Sequence, residues 1–173
     1  SDLASAIEKN RFPLVISERK EHLGLLAQAF EQKLASKNVK AFTLVGGMGK
    51  KARAEVLAEI AATIGTETRP YIMATGSFVG EGFDLPALDT LIVAMPVSFK
   101  GKMIQYAGRL HRSHAGKTEA LIFDYLDSSS ALTVSMFRKR VSAYQMMGYK
   151  IDAPENSRSQ RVINGQASLF GGE

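Results

Sequence analysis

The sequence predicts an α/β domain: a mainly parallel sheet covered by helices on both faces, with a further helix at the C-terminal end. Three observations carry this: five short apolar runs, helix-period segments between them, and a length of 173 residues that suits one domain with a sizeable core. Continuous apolarity fits strands buried on both faces, because a half-exposed strand would alternate. Regular strand–helix alternation then argues for parallel strands joined by crossover helices.

The elements follow in order. PLVI (13–16) reads as the first strand, followed by a helix at 18–35 with Leu23, Leu26, Phe30 and Leu34 on one stripe. AFTLV (41–45) is the second strand, and a helix at 50–64 turns Val56, Leu57, Ile60 and Ile64 inward. YIMAT (71–75) and LIVAM (91–95) are the third and fourth strands. A helix near 101–110 leads to the fifth, ALIFDY (120–125). SSSALTVSMFRKRVSAYQMMGY reads as a terminal helix, with serines to cap it and Val134, Phe137, Val141 and Tyr144 on one side. From Asp152 onward the chain loses periodicity and is rich in small polar residues, as in a flexible tail. The expected organisation is therefore an α/β domain over 1–127, a helix packed on it over 128–150, and a tail over 151–173.

Composition narrows the function classes. Hydrophobic residues make up 45% and charged residues 23%, an ordinary mixture for a soluble globular protein. No apolar run approaches the ~20 residues that span a bilayer. SDLASAIEKNRF lacks a signal-peptide layout, so a cytoplasmic protein with no membrane partner is expected. The absence of cysteine excludes disulfides and thiolate metal sites, and His22, His111 and His114 do not cluster with acids, so no metal site is expected. The net charge of +5 is unevenly spread. No acid lies between Asp89 and Glu119, a window holding Lys100, Lys102, Arg109, Arg112 and Lys117. A second window, between Asp127 and Asp152, holds Arg138, Lys139, Arg140 and Lys150. Such patches suit a polyanion such as nucleic acid, or form a solvated basic face; the RKR run at 138–140 stands between the same two readings.

Two stretches imitate a phosphate loop and fail. A P-loop, G-x-x-x-x-G-K-[ST], needs its first glycine and a hydroxyl after the lysine. In FTLVGGMGKKAR, with Gly49-Lys50 as the GK pair, those positions hold Leu44 and Lys51. In HRSHAGKTEALIF, Gly116-Lys117-Thr118 has His111 where the glycine belongs, and it precedes a strand instead of opening a helix. Asp124 at the end of ALIFD imitates a magnesium-gripping acid, but without a P-loop it has nothing to grip.

A different constellation remains. In QYAGRLHR, the spacing of Gln105, Arg109 and Arg112 predicts one shared helical face. An amide and two guanidiniums there suit a phosphate chain or a developing negative charge; the competing reading is a basic face paired with carboxylates. Upstream, ATGSFVGEGFDLP follows the third strand, where open α/β sheets gather ligands. By itself it is equally a surface loop of turn formers.

Taken together, these two segments closely resemble motifs V and VI of the second RecA-like domain of superfamily 2 helicases and translocases. PLVISERKEHLGLLAQAF resembles motif IV, and the likeness covers roughly residues 10–127. The stretch LDTLIVAMPVSFKGKMIQYAGRLHR is similar to bacterial DEAD/DEAH-type helicases related to restriction and DNA-repair translocases. The resemblance implies a RecA-like three-layer fold and the second motor lobe of an ATP-dependent helicase, with ATP and Mg2+ bound mainly by a first lobe. It implies arginine fingers at Arg109 and Arg112, with Gln105 near the attacking water. It further implies nucleotide contact or coupling at Gly82 and Asp84, and backbone contacts to nucleic acid from Thr75, Gly76, Ser17 and Arg19. Gly46-Gly47 occupies the family's glycine turn, ahead of Lys50, Lys51 and Arg53, which suits either a nucleic-acid contact or a strand cap with solvated lysines. Glu81 stands where many RNA helicases of the superfamily have arginine, which leans the substrate toward DNA.

No P-loop and no D-E-A-D or D-E-x-H box occurs in the 173 residues, so the chain is expected to act with an N-terminal RecA-like lobe of the same protein and to be inactive alone. The alternative is a non-catalytic nucleic-acid-binding or regulatory module that kept the fold; an independent nucleotide-binding enzyme is disfavoured by the two failed loops. Finally QASLF (166–170), from Gln166 to Phe170, resembles the Q-x-x-L-F peptide by which bacterial proteins dock on the replication sliding clamp; a chance match within a disordered end is the competing reading.

Overall fold

The computed structural model describes residues 1–80, 84–94, 100–126 and 130–151. Its packing divides the chain into two compact units, Ser1–Phe83 and Asp84–Glu173.

In the first unit, β1 (Pro13–Ser17), β2 (Val39–Leu44) and β3 (Arg69–Thr75) run parallel, with β3 between the other two. The register sets Ser17 beside Thr75 and Leu44 beside Ala74, so the three strands end at one level. β1 is buried at all five positions, as a strand covered on both faces must be. β2 pairs with β3 alone among the described strands and alternates at its end, with Phe42 and Leu44 buried and Ala41 and Thr43 exposed. Helix α2 (Lys20–Leu34) packs on β1 and β3 and buries Leu23 and Leu34. Leu26 and Phe30 are half-buried, and the Phe30 ring meets Tyr71 edge-on at 6.4 Å. Helix α3 (Lys50–Thr63) packs on β2 and β3 with Ile60 buried and Val56, Leu57 and Ile64 half-buried.

A short helix at the start of the unit, α1 (Asp2–Glu8), was not expected from the sequence. Its seven residues carry only Leu3, Ala6 and Ile7 as an inward stripe, too little for periodicity to stand out. Tertiary contacts hold it. Arg69 donates from Nη1 to the Ile7 carbonyl at 2.7 Å, satisfying a carbonyl in the helix's last turn. Lys37 lies 2.6 Å from Glu8 and, through that hydrogen bond, holds the Glu8 carboxyl below its usual range.

In the second unit, β4 (Thr90–Val93) and β5 (Leu121–Asp124) pair in parallel with Val93 beside Asp124. Every described strand pairing is thus parallel, the α/β architecture read from the sequence. Helix α5 (Lys100–Leu110) packs on β4 and buries Met103, Tyr106, Ala107 and Leu110, an i, i+3, i+4, i+7 stripe. Helix α6 (Ala131–Met146) packs on α5. The Ser130 hydroxyl caps it, accepting from the Leu132 and Thr133 amides at 3.1 and 3.4 Å.

One basic residue must be reassigned. Arg138 and Lys139 are exposed, but Arg140 is 1% exposed and cannot belong to a nucleic-acid track. Its place on the helix explains this: Arg140 lies three residues after Phe137 and four before Tyr144, on the buried stripe. A buried guanidinium needs a counter-charge. Arg140 donates from Nε and Nη2 to both carboxylate oxygens of Asp124, at 2.6 and 2.9 Å. The Tyr144 hydroxyl donates to the same carboxylate at 2.8 Å. Asp124, with no phosphate loop to serve, grips the terminal helix instead. Among the described residues, no helix is long and apolar enough to cross a membrane.

Candidate nucleotide and nucleic-acid sites

In the first unit, the segments after β1, β2 and β3 leave the carboxyl edge of the parallel strands together, the ligand-binding edge of such sheets. Ser17 is buried there; its Oγ lies 3.0 Å from His22 Nδ1 and accepts from the Arg19 amide at 3.3 Å. Arg19 itself is exposed and is the N-cap residue of α2. Thr75 and Gly76 are buried. The Thr75 hydroxyl accepts from the Gly46 amide at 2.8 Å and lies 3.1 Å from Ser77 Oγ.

These bonds explain the glycines after β2. A Cβ on Gly46 would collide with the Ser77 hydroxyl, so any other residue there requires the Ser77 side chain to shift. Gly47 has φ +86°, in the left-handed region that favours glycine. The turn delivers Gly49 as the N-cap of α3 with no side-chain cap, followed by exposed Lys50 and Lys51. The expected loop after Thr75 is in part a one-turn helix, α4 (Gly76–Gly80), because Phe78 and Val79 are buried beneath it. The Arg53 guanidinium sits 4.6 Å over the Phe78 ring. The apolar pair inside a glycine-rich run was the signal for this anchor.

In the second unit, Gln105 is exposed and Arg109 half-exposed, one turn apart on α5. Among the described residues neither has a hydrogen-bond or ion-pair partner. Arg112 is not on that helix, which ends at Leu110; the single helical face expected for three residues therefore holds for two. The helix stops in a tightened turn, where the His111 amide donates to the Gly108 carbonyl at 3.3 Å. Arg112 instead reaches Asp84, with Nη1 2.6 Å from Oδ2, and both side chains remain exposed at 48% and 42%. Gly82 and the 166–170 stretch lie outside the described residues.

The bend carrying Arg112 has further supports that sequence reasoning missed. Lys117 donates from Nζ to the Arg112 carbonyl at 3.0 Å and to the Pro86 carbonyl at 3.1 Å. Its only sequence signal was the imitation GKT, which drew attention to the wrong chemistry. His111 Nε2 lies 2.7 Å from the hydroxyl of buried Tyr149, and their rings meet at 5.2 Å. Burial, and secondarily the Lys117 charge, lower the His111 pKa, while burial raises that of Tyr149. A neutral imidazole therefore faces a protonated phenol at neutral pH. His114 is exposed and lies against the Ala115 carbonyl. Among the described residues, no group of three or more His, Asp and Glu could hold a metal ion.

Comparison with known proteins identifies the family. The family described as helicase conserved C-terminal domain matches residues 2–114. Over 81 residues the chain is 38% identical to the uncharacterized protein 108L of Invertebrate iridescent virus 3, covering 46% of this chain and 72% of the viral one. Its fold is similar to the C-terminal part of the Fun30 ATPase domain, with a TM-score of 0.61 and 16% identity over 83% of this chain and 45% of that one. It is likewise similar to the ATP-dependent Type ISP restriction-modification enzyme LlaBIII bound to DNA, with a TM-score of 0.60 and 17% identity over 78% of this chain and 10% of that one. The chain thus spans less than half the length of either solved structure. At these identities the two likenesses speak to fold, and the family match speaks to kinship: the chain belongs to the helicase conserved C-terminal domain family, the second RecA-like domain of superfamily 2 helicases.

Proposed function

We propose that this chain is the second motor lobe of an ATP-dependent helicase or translocase acting on nucleic acid, DNA in preference to RNA. The observation that carries the proposal is the 2.6 Å pairing of Arg112 with Asp84, which joins the motif VI-like and motif V-like segments at an exposed position. An exposed ion pair is worth about 0–1 kcal/mol. A guanidinium bonds phosphate oxygens in a planar, charge-assisted fork, so a phosphate readily takes Asp84's place.

The described residues fit a polyphosphate and not its metal ion, since among them are cations and an amide but no acidic cluster. ATP with Mg2+, bound mainly by the first lobe, supplies the phosphoryl group that passes to water. Arg112 and Arg109 act as the arginine fingers, a contribution worth ~10³–10⁵ in rate. Gln105 directs its amide at the water, and Gly82 and Asp84 contact the nucleotide or couple it to the nucleic-acid site.

In the first unit the exposed Arg19, Lys50 and Lys51 and the local backbone amides grip the strand backbone. Buried Ser17, Thr75 and Gly76 shape the turns that present them. Backbone contacts carry no sequence information, as a motor requires. Glu81 in place of a motif V arginine supports the DNA preference. The RecA-like part runs through residue 127, with α6 as its docked extension; the setting is cytoplasmic, and 166–170 is a candidate clamp peptide.

The test is nucleic-acid-stimulated ATP hydrolysis by the protein carrying both lobes. Arg112→Ala is expected to lower kcat ~10³-fold or more. An unchanged kcat, with nucleic-acid binding retained, would point to a non-catalytic binding module instead.

A further inference from the structure

Arg112 lies beyond the end of α5, so helical geometry does not fix it, and its side-chain partner Asp84 holds it only weakly. If a phosphate takes Asp84's place, something else must keep the backbone in position. Two groups from later in the chain reach this bend. From one side, the Lys117 ammonium spans the Arg112 and Pro86 carbonyls at 3.0 and 3.1 Å. It thereby ties together the two segments whose side chains form the Arg112–Asp84 pair. Gly116, at φ +81°, turns the chain back, and the Lys117 amide closes the turn on the His114 carbonyl at 3.1 Å.

From the other side, Tyr149 holds the ring of His111, the residue before Arg112, at 2.7 Å. Tyr149 is 4% exposed and packs edge-on against Tyr144 at 6.2 Å. Tyr144 in turn bonds Asp124, which is locked to Arg140. A continuous buried chain of contacts thus runs from α6 to the arginine bend. Tyr149 and Lys117 both lie outside residues 2–114, the part that matches the family.

We propose that Lys117 and Tyr149 are positioning residues for ATP hydrolysis, clamping the bend that presents Arg112. This rests on the second-lobe reading above. Neither residue is assigned contact with the nucleotide; both act through Arg112.

The experiment compares steady-state ATP hydrolysis by the two-lobed protein with Lys117→Met, Tyr149→Phe and Arg112→Ala, and with each clamp variant combined with Arg112→Ala. Lys117→Met keeps an apolar stem and removes the donors; Tyr149→Phe removes only the hydroxyl. A misplacement of ~1 Å costs up to about 10²-fold, so each is expected to lower kcat ~10- to 100-fold with KM changed less than about threefold. On the Arg112→Ala background neither is expected to lower kcat further, and Lys117→Arg is expected to recover part of the loss. An unchanged kcat in both single variants, or the same fold-loss on the Arg112→Ala background, overturns the clamp. If Arg112→Ala itself leaves kcat unchanged, the second-lobe reading fails with it, and the two failures are told apart. Amide hydrogen exchange on the 173-residue chain guards against simple unfolding. Faster exchange confined to the segment around Arg112 supports the clamp, and a uniform rise including β4 and β5 overturns it.

Discussion

The buried Arg140–Asp124 pair makes the sharpest stability prediction. Both side chains are 1% exposed, and the carboxylate takes two bonds from the guanidinium and a third from the Tyr144 hydroxyl. Arg140→Met keeps an apolar stem near Phe137 but leaves Asp124 with one partner in a site water does not reach. Removing one member of a buried pair costs about 3–5 kcal/mol, most of it the stranded charge. Tyr144→Phe removes a single charge-assisted bond, worth about 1.5–3 kcal/mol. Burial and the adjacent carboxylate hold the Tyr144 pKa well up, so its proton stays available to donate. Replacing the whole group, as in Asp124→Leu/Arg140→Met/Tyr144→Phe, strands nothing and is expected to recover most of the loss. The assay is urea unfolding followed by circular dichroism. With m near ~2 kcal/mol/M, Arg140→Met should lower the midpoint by about 1.5–2.5 M. A loss below ~1 kcal/mol, or a larger loss from Tyr144→Phe than from Arg140→Met, would refute the reasoning.

Further predictions concern other parts of the molecule. Gly46→Ala forces its Cβ onto the Ser77 hydroxyl and is expected to cost about 1–3 kcal/mol, with partial rescue by Ser77→Ala; equal losses in single and double variants would show that Ser77 is not the obstacle. Lys50→Ala and Lys51→Ala should each reduce the slope of log K against log salt by ~0.7–0.9 in nucleic-acid binding, and an unaltered slope removes the start of α3 from the interface. Because burial lowers the His111 pKa, its contribution to stability is present above the ordinary value of 6.5 and lost as pH falls through the lowered folded-state value. Urea midpoints at about pH 7.5 and about pH 5 should therefore converge in His111→Gln relative to wild type; parallel losses would place the titration elsewhere. The 173-residue chain alone should show no ATP turnover, and turnover abolished by Arg112→Ala would overturn the two-lobe reading.

The strands were legible in the sequence because burial on both faces leaves a run such as PLVI with no alternation to confuse. The stripe of α5 and the serine cap of α6 were legible for equally local reasons. What the sequence concealed was tertiary. Nothing local marks Arg140 as buried, since its neighbours Arg138 and Lys139 are exposed and only the distant Asp124 makes burial tolerable. The end of α5 near residue 110 was legible, but the spacing of Arg112 from Arg109 concealed that it lies beyond that end. Ser17 and Thr75 have the residue types of surface contacts, yet their hydroxyls bond His22 and Gly46. Lys117 carries only the imitation GKT and Tyr149 no motif; their meaning comes from the carbonyls and the imidazole they reach.

Among the described strands β2 has β3 as its one neighbour, which bears on how the chain behaves when crowded. A strand paired on one side offers a template to any extended peptide, its own copies included. Here Lys40 sits on that strand, its ammonium near Glu59 of α3 and over the Phe42 ring at 5.4 Å. A charged side chain, lysine above all, on such a strand is one of the devices by which proteins discourage ladder-like self-association.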